Sequence, residues 1–410
     1  MSTVALAWET NGMQQSDVII VGGGLIGLAT AYQLIQRYPS THVTVLEKEP
    51  SVGTHQSGSN SGVLHSGIYY KPGSLKARNC RMGKEAMESF CQQHGVDYEV
   101  CGKVIVAVEE WELPILQKIL QRGHQNRVRS TMIDRDRLAE LEPHAAGIQA
   151  IHVPDAGICD FRSVCRKLAE ILESGQGQLV TGAAVTSIRQ GNGEVVATTS
   201  RGDFQGRYLV NCAGLHSDRV ARMTGEDPRS MVIPFRGEYY ELKQDARHLC
   251  RNLIYPVPDP RFPFLGVHFT RMTDGRIECG PNAVLAFARE GYRKRDINLR
   301  DLIEALTYKG FQRLASRHWR MGLGEMQRSF SKAAFVRALR RLMPEIRSSH
   351  LVPARAGVRA QAIAPDGSMV DDFVIHTTGR IVNVCNAPSP AATSSLHIGL
   401  GVVDKLAEQF

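Results

Sequence analysis

The chain opens on a pattern of apolar residues that predicts a strand, a turn and a helix. Val18–Val21 is an uninterrupted apolar run, as found in a strand buried on both faces. Helical spacing then continues from Leu25 to about Tyr38. Val43–Leu46 is a second apolar run and ends at Glu47. The pattern therefore predicts the first two strands of a parallel sheet and the helix that connects them.

Three glycines in the first turn have the spacing of a dinucleotide-binding motif. Gly22 permits the tight turn, Gly24 lets the backbone approach a pyrophosphate, and Gly27 lets the helix pack against the strand. The helix N-terminus offers free N–H groups and a positive dipole end to phosphates. Glu47 lies 20 residues after Gly27, where it can accept hydrogen bonds from ribose hydroxyls. The unit predicts dinucleotide binding, and the alternative is a purely structural glycine turn.

Later apolar runs predict more strands of the same sheet and a helix after the last of them. These strands are expected at 179–185, 208–212 and 380–385. Ala213 and Gly214 follow the second one and predict another close approach of the backbone to the ligand. The helix is expected from about Ala391 to Glu408, because Ser389 suits an N-cap and Pro390 suits the first turn.

The middle of the chain has an antiparallel pattern with helices, which predicts a second domain. Asp274 and Gly275 form a hairpin turn signal, and Phe264–Met272 and Arg276–Gly280 flank it as strands. Two stripes at helical spacing are expected to be core: Leu299, Ile303, Leu306 and Leu314, then Phe335, Leu339 and Leu342. The predicted fold class is α/β, with a Rossmann-type parallel sheet and a second α+β domain built on an antiparallel sheet with helices.

Composition narrows the class of protein. The 410 residues, 43% of them hydrophobic, suffice for two packed lobes. No apolar run approaches the roughly 18–20 residues of a spanning helix, so an integral membrane protein is not expected. Nine irregularly spaced cysteines without a CxxC pair indicate reduced thiols, a cytoplasmic location and no metal site. Residues 1–15 contain no Lys or Arg and are interpreted as a disordered leader rather than a targeting signal.

One segment carries the whole net charge of +8. Arg293–Arg347 contains 14 Lys/Arg and 5 Asp/Glu, a local charge of +9. This segment is interpreted either as a solvated helical face or as a patch for anionic lipid, since no motif supports nucleic acid. The lipid interpretation relies on an apolar face interleaved with basic residues: Phe335, Leu339, Leu342 and Met343, among Lys332, Arg337, Arg340 and Arg341.

A polar loop after the second strand carries a resemblance to a known family. His55–Gly62 is rich in Ser, Asn and Gly, and alone it fits either an extended cofactor or a surface loop. Together with Val21–Gly27, Leu46–Lys48 and Val63–Ala77, it resembles the L-2-hydroxyglutarate dehydrogenase/oxidase family, a branch of the FAD-dependent D-amino-acid-oxidase-like superfamily. Further matching blocks are Cys101–Ala107, Pro234–Tyr239, Ile254–Pro258, Phe262–Thr270, Gly280–Phe287, Ala356–Gln361 and Asn386–Ser395.

The resemblance implies non-covalently bound FAD and a discontinuous chain. The FAD-binding domain would comprise 16–85, 146–219 and 346–410, and the substrate-binding domain 86–145 and 220–345. The last helix is expected to point its N-terminus at the flavin pyrimidine, with Cys385 nearby but not bonded to the flavin. The implied cofactor-binding residues are Gly22, Gly24, Gly27, Glu47, Lys48, Ser57, Asn60, Ser61, Gly62, Val185, Ala213, Gly214, Gly357, Ser389, Ala391, Ala392 and Thr393.

The resemblance also points to catalytic residues. Oxidising a 2-hydroxy acid requires a base for the hydroxyl proton and a fixed cation for the carboxylate. His65, beside the cofactor loop, and His268, in a strand of the second domain, are the two candidate bases, although a lone His is more often structural. Arg359 matches the carboxylate clamp of related oxidases, with a salt bridge as the alternative. The weaker candidates for the pocket wall or the distal carboxylate are Tyr69, Tyr255 and Gln361.

The implied activity is FAD-dependent oxidation of L-2-hydroxyglutarate to 2-oxoglutarate by hydride transfer to flavin N5. Electrons would pass to a membrane quinone or another acceptor, and residues 293–347 would hold the protein on the inner face of the cell membrane. One alternative is another flavin enzyme of the superfamily, acting on an amino acid or a different 2-hydroxy acid. A second alternative is a non-catalytic nucleotide- or RNA-associated module, which the candidate catalytic residues argue against.

Overall fold

The computed structural model describes residues 14–191, 193–260 and 265–410. In chain order the strands are β1 (Gln14–Val21), β2 (Val43–Leu46), β3 (Val63–Leu64), β4 (Tyr98–Glu99), β5 (Lys103–Ala107), β6 (Thr131–Asp134), β7 (Gln149–Val153), β8 (Gly157–Cys159), β9 (Gly177–Val180), β10 (Val185–Gly191), β11 (Glu194–Thr199), β12 (Gly202–Asn211), β13 (Met231–Gly237), β14 (Tyr240–Leu242), β15 (Leu253–Pro256), β16 (His268–Arg271), β17 (Ile277–Gly280), β18 (Val284–Leu285), β19 (Leu351–Pro353), β20 (Gly357–Ile363), β21 (Val374–Thr378) and β22 (Ile381–Asn386). The α-helices are α1 (Leu25–Arg37), α2 (Leu75–His94), α3 (Leu113–Gln125), α4 (Arg135–Leu141), α5 (Phe161–Glu173), α6 (Ser217–Met223), α7 (Leu299–Thr307), α8 (Lys309–Phe330), α9 (Lys332–Leu339) and α10 (Ala391–Ala407).

The first sheet is built around β1. It pairs in parallel with β2 and β12, and β9 and β22 continue the parallel part beyond them. Antiparallel β10, β11 and β21 extend the sheet. The apolar side chains of α1, α2, α5 and α10 form one buried core with this sheet. This arrangement confirms the predicted Rossmann-type parallel sheet, including the strand Val18–Val21, the helix after it and the second strand.

Two predictions about this sheet were wrong in detail. The strand β1 begins at Gln14, so Gln14 and Gln15 are not part of a disordered leader; the rest of that predicted leader, residues 1–13, lies outside the described residues. The single strand predicted at 179–185 is two strands, because Gly182 adopts a positive φ of 69° and turns the chain between β9 and β10.

The second large sheet runs in the order β19-β14-β17-β16-β15-β5-β7-β6. Its neighbours are antiparallel except for β15 and β5, and the predicted hairpin is present as β16 and β17. A three-stranded sheet, β18-β13-β20, adjoins it. The pairing of β7 with β5 favours a boundary after Val153 rather than at 146, while the domain division itself stays a prediction.

The helices correct two sequence-based expectations and confirm a third. Pro390, not Ser389, occupies the N-cap position of α10, and no side chain among the described residues caps it. The stripe on α7 is exposed rather than core, with Leu299 70%, Ile303 59% and Leu306 48% exposed, and only Leu314 is partly buried. The stripe around α9 is core as expected: Phe335, Leu339 and Leu342.

Burial of that second stripe overturns the predicted membrane-facing surface. Met343 is buried with the same three residues, so none of the four can meet a lipid bilayer. Three of the four interleaved basic residues also contact the protein: Lys332 donates to the Leu351 carbonyl, Arg340 donates to the Ile346 carbonyl, and Arg341 pairs with Glu109 and Glu112. Within the described residues, no helix combines the length and apolarity that crossing a bilayer requires.

Candidate active site

A cavity of about 1120 Å³ lies at the carboxyl ends of the parallel strands. Val21, Leu46, Cys212 and Asn386 mark where β1, β2, β12 and β22 end at its wall. Ligands of open α/β sheets bind at this edge, because helix N-termini and strand ends converge there. The volume slightly exceeds the roughly 300–1,000 Å³ of small-molecule sites, which leaves room for a dinucleotide and a substrate.

The glycines of the first turn fit a dinucleotide for the reasons that the sequence suggested. Gly22 has a φ of 110°, and a Cβ there would lie 2.4 Å from the Cys212 carbonyl oxygen. A Cβ on Gly27 would lie 2.0 Å from the Gly22 oxygen, so this glycine permits close helix packing and does not line the cavity. Gly357 likewise permits a close backbone approach, because a Cβ on this residue would lie 2.6 Å from the Ser59 carbonyl oxygen.

The structure brings most of the predicted cofactor residues to this cavity. Those that line it are Gly22, Gly24, Glu47, Lys48, Ser57, Asn60, Ser61, Val185, Ala213, Gly214, Gly357, Ser389, Ala391 and Ala392. Gly27, Gly62 and Thr393 are not among the described lining residues. Thr393 instead donates to the Val63 carbonyl and accepts from the His65 N–H, both at 3.1 Å, so it fixes the backbone from β3 to His65.

The acidic residue at the end of β2 is held by backbone N–H groups. Glu47 accepts from Gly23 N at 2.7 Å through Oε2 and from Glu49 N at 2.8 Å through Oε1. The neighbouring Lys48 pairs with Glu290 at 2.7 Å. Burial alone would raise the pKa of Glu290, yet hydrogen bonds from His216 and Lys48 lower it to about 2. Glu290 and His216 line the cavity and were missed, because only the tertiary fold brings them to Lys48.

Both candidate histidines line the cavity, and they lie close enough for His268 to act electrostatically on His65. The Nδ1–H of His268 donates to the Gly266 carbonyl at 2.9 Å, which leaves Nε2 with its lone pair. The Tyr255 ring lies 4.1 Å from the His268 ring. Burial, with Lys103 as a further cause, lowers the pKa of His65 to about 3 and that of His268 to about 4. Both imidazoles are therefore neutral near pH 7 and can accept a proton.

Arg359, on strand β20, also lines the cavity. Its charge helps to lower the pKa of His268 and opposes the rise to about 12 that burial gives the pKa of Tyr239. Gln361 and Tyr255 also line the cavity as predicted, and Tyr239, which does the same, was not singled out from the sequence.

The positions of Tyr69 and Lys103 differ from what the sequence predicted. Tyr69 was expected in the pocket, but it is not among the described residues that line it. Its ring faces Lys103, whose Nζ lies 4.8 Å from the Tyr69 ring centre and 4.9 Å from that of Tyr255. Burial lowers the pKa of Lys103 to about 8. The only sequence signal for this residue was a Lys in the otherwise apolar strand β5.

The glycine turn, the two histidines and Arg359 all line this cavity, and together they define a class of protein, the FAD-dependent oxidoreductases. The model of the FAD dependent oxidoreductase family matches residues 17–405. The L-alpha-glycerophosphate oxidase of Mycoplasma pneumoniae, solved with FAD bound, has the same fold, with a TM-score of 0.80 over 96% of this chain and 95% of that one at 23% identity.

Closer relatives define the family. An L-2-hydroxyglutarate dehydrogenase of Indibacter alkaliphilus is 50% identical over 96% of this chain and 99% of its own length. The protein of that name from Escherichia coli strain K12 is 44% identical over 95% of this chain and 93% of its own length. The chain therefore belongs to the L-2-hydroxyglutarate dehydrogenase family.

Proposed function

We propose that the chain catalyses the FAD-dependent oxidation of L-2-hydroxyglutarate to 2-oxoglutarate. The observation that carries this proposal is that Arg359, His65 and His268 line the same cavity as the glycine turn, and that His268 interacts electrostatically with both of the others. A cation and a neutral base beside the cofactor are what a 2-hydroxy acid requires. FAD, when bound, accepts the electron pair that leaves the substrate carbon.

Each residue has a stated role in this proposal. Arg359 holds the C1 carboxylate through two parallel hydrogen bonds, because a guanidinium matches a carboxylate in geometry and charge. The Nε2 atom of His268, or the imidazole of His65, accepts the hydroxyl proton. Burial keeps both imidazoles neutral, and the charge of Lys103, behind Tyr255, adds to this effect. Gln361 and Tyr255 line the space for the rest of the substrate.

The experiment for this function is a substrate screen with an artificial dye as electron acceptor. L-2-Hydroxyglutarate should give the highest kcat/KM, and D-2-hydroxyglutarate, L-lactate, L-glutamate, glycine and glycerol 3-phosphate should give much lower values. A higher value for an amino acid or another 2-hydroxy acid would assign the chain to a different activity of the same superfamily. A FAD-loaded protein with no activity on any of them would refute the proposal.

We further propose that the electrons leave to a lipid-soluble quinone and that the protein docks on an anionic membrane through α7 and α8. On these helices Leu299, Ile303 and Leu306 are exposed, and so are Trp319 (56%) and Leu323 (61%). We call these five residues the α7–α8 apolar face. An exposed apolar face of this kind marks an interaction surface.

The charges around the α7–α8 apolar face favour an anionic surface as its partner. Over the described residues 297–330, every exposed charged residue is basic: Arg300, Lys309, Arg313, Arg317 and Arg320. The acidic residues of this stretch are less exposed and paired, Asp301 and Glu304 with Arg219 and Glu325 with Arg328. Each basic residue near an anionic bilayer adds about 1 kcal/mol, and salt screens the effect.

Sedimentation with lipid vesicles tests the docking surface. The protein should bind vesicles that contain phosphatidylglycerol and should bind less at high salt or to pure phosphatidylcholine. Leu323→Glu should weaken binding roughly 10- to 100-fold, the value of one buried leucine. Met82→Glu is the control, because Met82 is also a large apolar residue and exposed (45%) but lies on α2. Equal loss in both variants, or no binding by the wild type, would contradict the docking proposal.

A further inference from the structure

A second cavity, of about 420 Å³, lies between α8 and the three-stranded sheet. Its wall is mostly apolar and includes Phe235, Leu285, Phe311, Leu314, Trp319 and Met326. The volume falls within the roughly 300–1,000 Å³ of small-molecule sites. We propose that this cavity binds the ring of a lipid-soluble quinone, an inference that rests on the proposed function and gives its electron acceptor a place.

The first argument is the wall that the two cavities share. Leu265 and Met369 line both cavities, so a single layer of side chains separates them. Leu265 precedes His268 by three residues, and both line the large cavity together with His65 and Arg359. A ring in the second cavity would therefore lie next to the site where the substrate is oxidised.

The second argument is where the cavity meets the surface. Trp319 lines the cavity and also belongs to the α7–α8 apolar face, and Leu323 lies one turn further along α8. A quinone dissolved in the bilayer could thus enter from the docked face without exposing its tail to water. A water-soluble acceptor would gain nothing from an entrance on this face.

The third argument is the polar content of the cavity. A quinone ring is apolar and offers two carbonyl oxygens, so its site requires a largely apolar wall. The lining also contains charged side chains, of which Glu112 pairs with Arg341 and Glu325 with Arg328. His318 lines the cavity at the point where α8 departs from helical geometry, with φ −121° and ψ 19°. Its imidazole N–H can donate to a carbonyl oxygen. The overall reaction balances, because the 2-hydroxy acid loses two electrons and two protons and the quinone gains both to become a quinol.

Two glycines of α8 provide a matched pair of variants. Gly322 lines the cavity, and Gly324 is not among its described lining residues. A Cβ at either position would meet nothing within 4 Å, and both lie inside the same helix, so Phe at either position should leave the fold intact. Gly322→Phe places a ring at the wall of the cavity, and Gly324→Phe adds the same ring elsewhere on α8.

The test measures binding and turnover separately. Equilibrium dialysis of the FAD-loaded protein with menadione, a tail-less quinone, gives a Kd without any substrate. Gly322→Phe should raise this Kd, and the KM for decylubiquinone, at least tenfold, and Gly324→Phe should change either less than twofold. The rate with an artificial dye and L-2-hydroxyglutarate should stay unchanged in both variants.

The outcomes distinguish the cavity from the proposed function. Three results would overturn the quinone site, whatever the dye-linked rate. The first is the absence of saturable menadione binding, and the second is an equal effect of both variants. The third is competition by decanol that is as strong as competition by decylubiquinone. Loss of the substrate activity with the dye would refute the proposed function, whereas the dialysis result would still decide what the cavity binds.

Discussion

Replacing Lys103 with Met should raise the pH at which activity is lost on the acid side. A neutral base is required for turnover, and burial together with the charge of Lys103 lowers the pKa of His65 to about 3 and of His268 to about 4. Below those values the imidazoles are protonated and the rate falls. Because the pKa of Lys103 is about 8, its charge is present throughout the acid range.

The structure sets the size of the effect. The Lys103 Nζ lies 4.9 Å from the Tyr255 ring centre, which lies 4.1 Å from the His268 ring, so the charge is at most about 9 Å from the imidazole. Coulomb's law at about 9 Å gives roughly 1.8 kcal/mol at an effective dielectric constant of about 20, and roughly 0.5 kcal/mol in water. These energies correspond to roughly 1.3 and 0.3 pKa units.

The assay is the pH profile of kcat/KM with a dye as acceptor. Lys103→Met should move the acid limb upward by about 0.3 to 1.3 pH units, and Lys103→Arg, which keeps the charge, should leave it near the wild-type position. An unmoved or downward-shifted limb in Lys103→Met would refute the reasoning. An equal shift in Lys103→Arg would show that packing against Tyr69 and Tyr255, rather than charge, controls the histidines.

Four further predictions concern the reaction and the cofactor. One of His65→Ala and His268→Ala should slow flavin reduction at least about 100-fold in stopped-flow, and the other should mainly raise KM; near wild-type rates in both would place the base elsewhere. Arg359→Lys should lose about 2–4 kcal/mol of transition-state binding, or roughly 30- to 1000-fold in kcat/KM, and near-normal kinetics would remove this residue from the pocket. Gly22→Ala should purify with much less flavin per protein than Gly225→Ala, which is also a positive-φ glycine but has open space around it; equal flavin content would contradict the role of the turn. Acid denaturation should release the yellow chromophore into the supernatant, and colour in the precipitate would indicate a covalent bond.

The opening of the fold was predictable because its requirements are local. A tight turn, a close helix and a buried strand each restrict the residue at a fixed spacing, and Gly22, Gly27 and Val18–Val21 meet those restrictions. Helical spacing, in contrast, shows that a face is apolar but not what covers it. The stripe of Leu299 and Ile303 is therefore exposed, although the sequence pattern resembles that of the buried residues around α9.

The parts of the site that the sequence analysis missed depend on distant segments. Glu290 reaches Lys48 only through the tertiary fold, and Lys103 becomes part of the site only because Tyr69 and Tyr255 enclose it. A buried cation in an apolar strand is unusual in itself, and it was the available signal for a functional residue. The sequence could indicate which residue types were unusual, but not which of them the fold would bring together.

Anaerobic mixing of the FAD-loaded protein with each enantiomer of 2-hydroxyglutarate tests the central claim most directly. The L enantiomer should bleach the yellow flavin within the mixing experiment and yield one 2-oxoglutarate per flavin reduced. The D enantiomer should leave the colour unchanged, because its Cα–H would point away from the flavin while Arg359 holds the carboxylate. A flavin that stays oxidised with the L enantiomer, or is reduced as fast by the D enantiomer, would contradict the account.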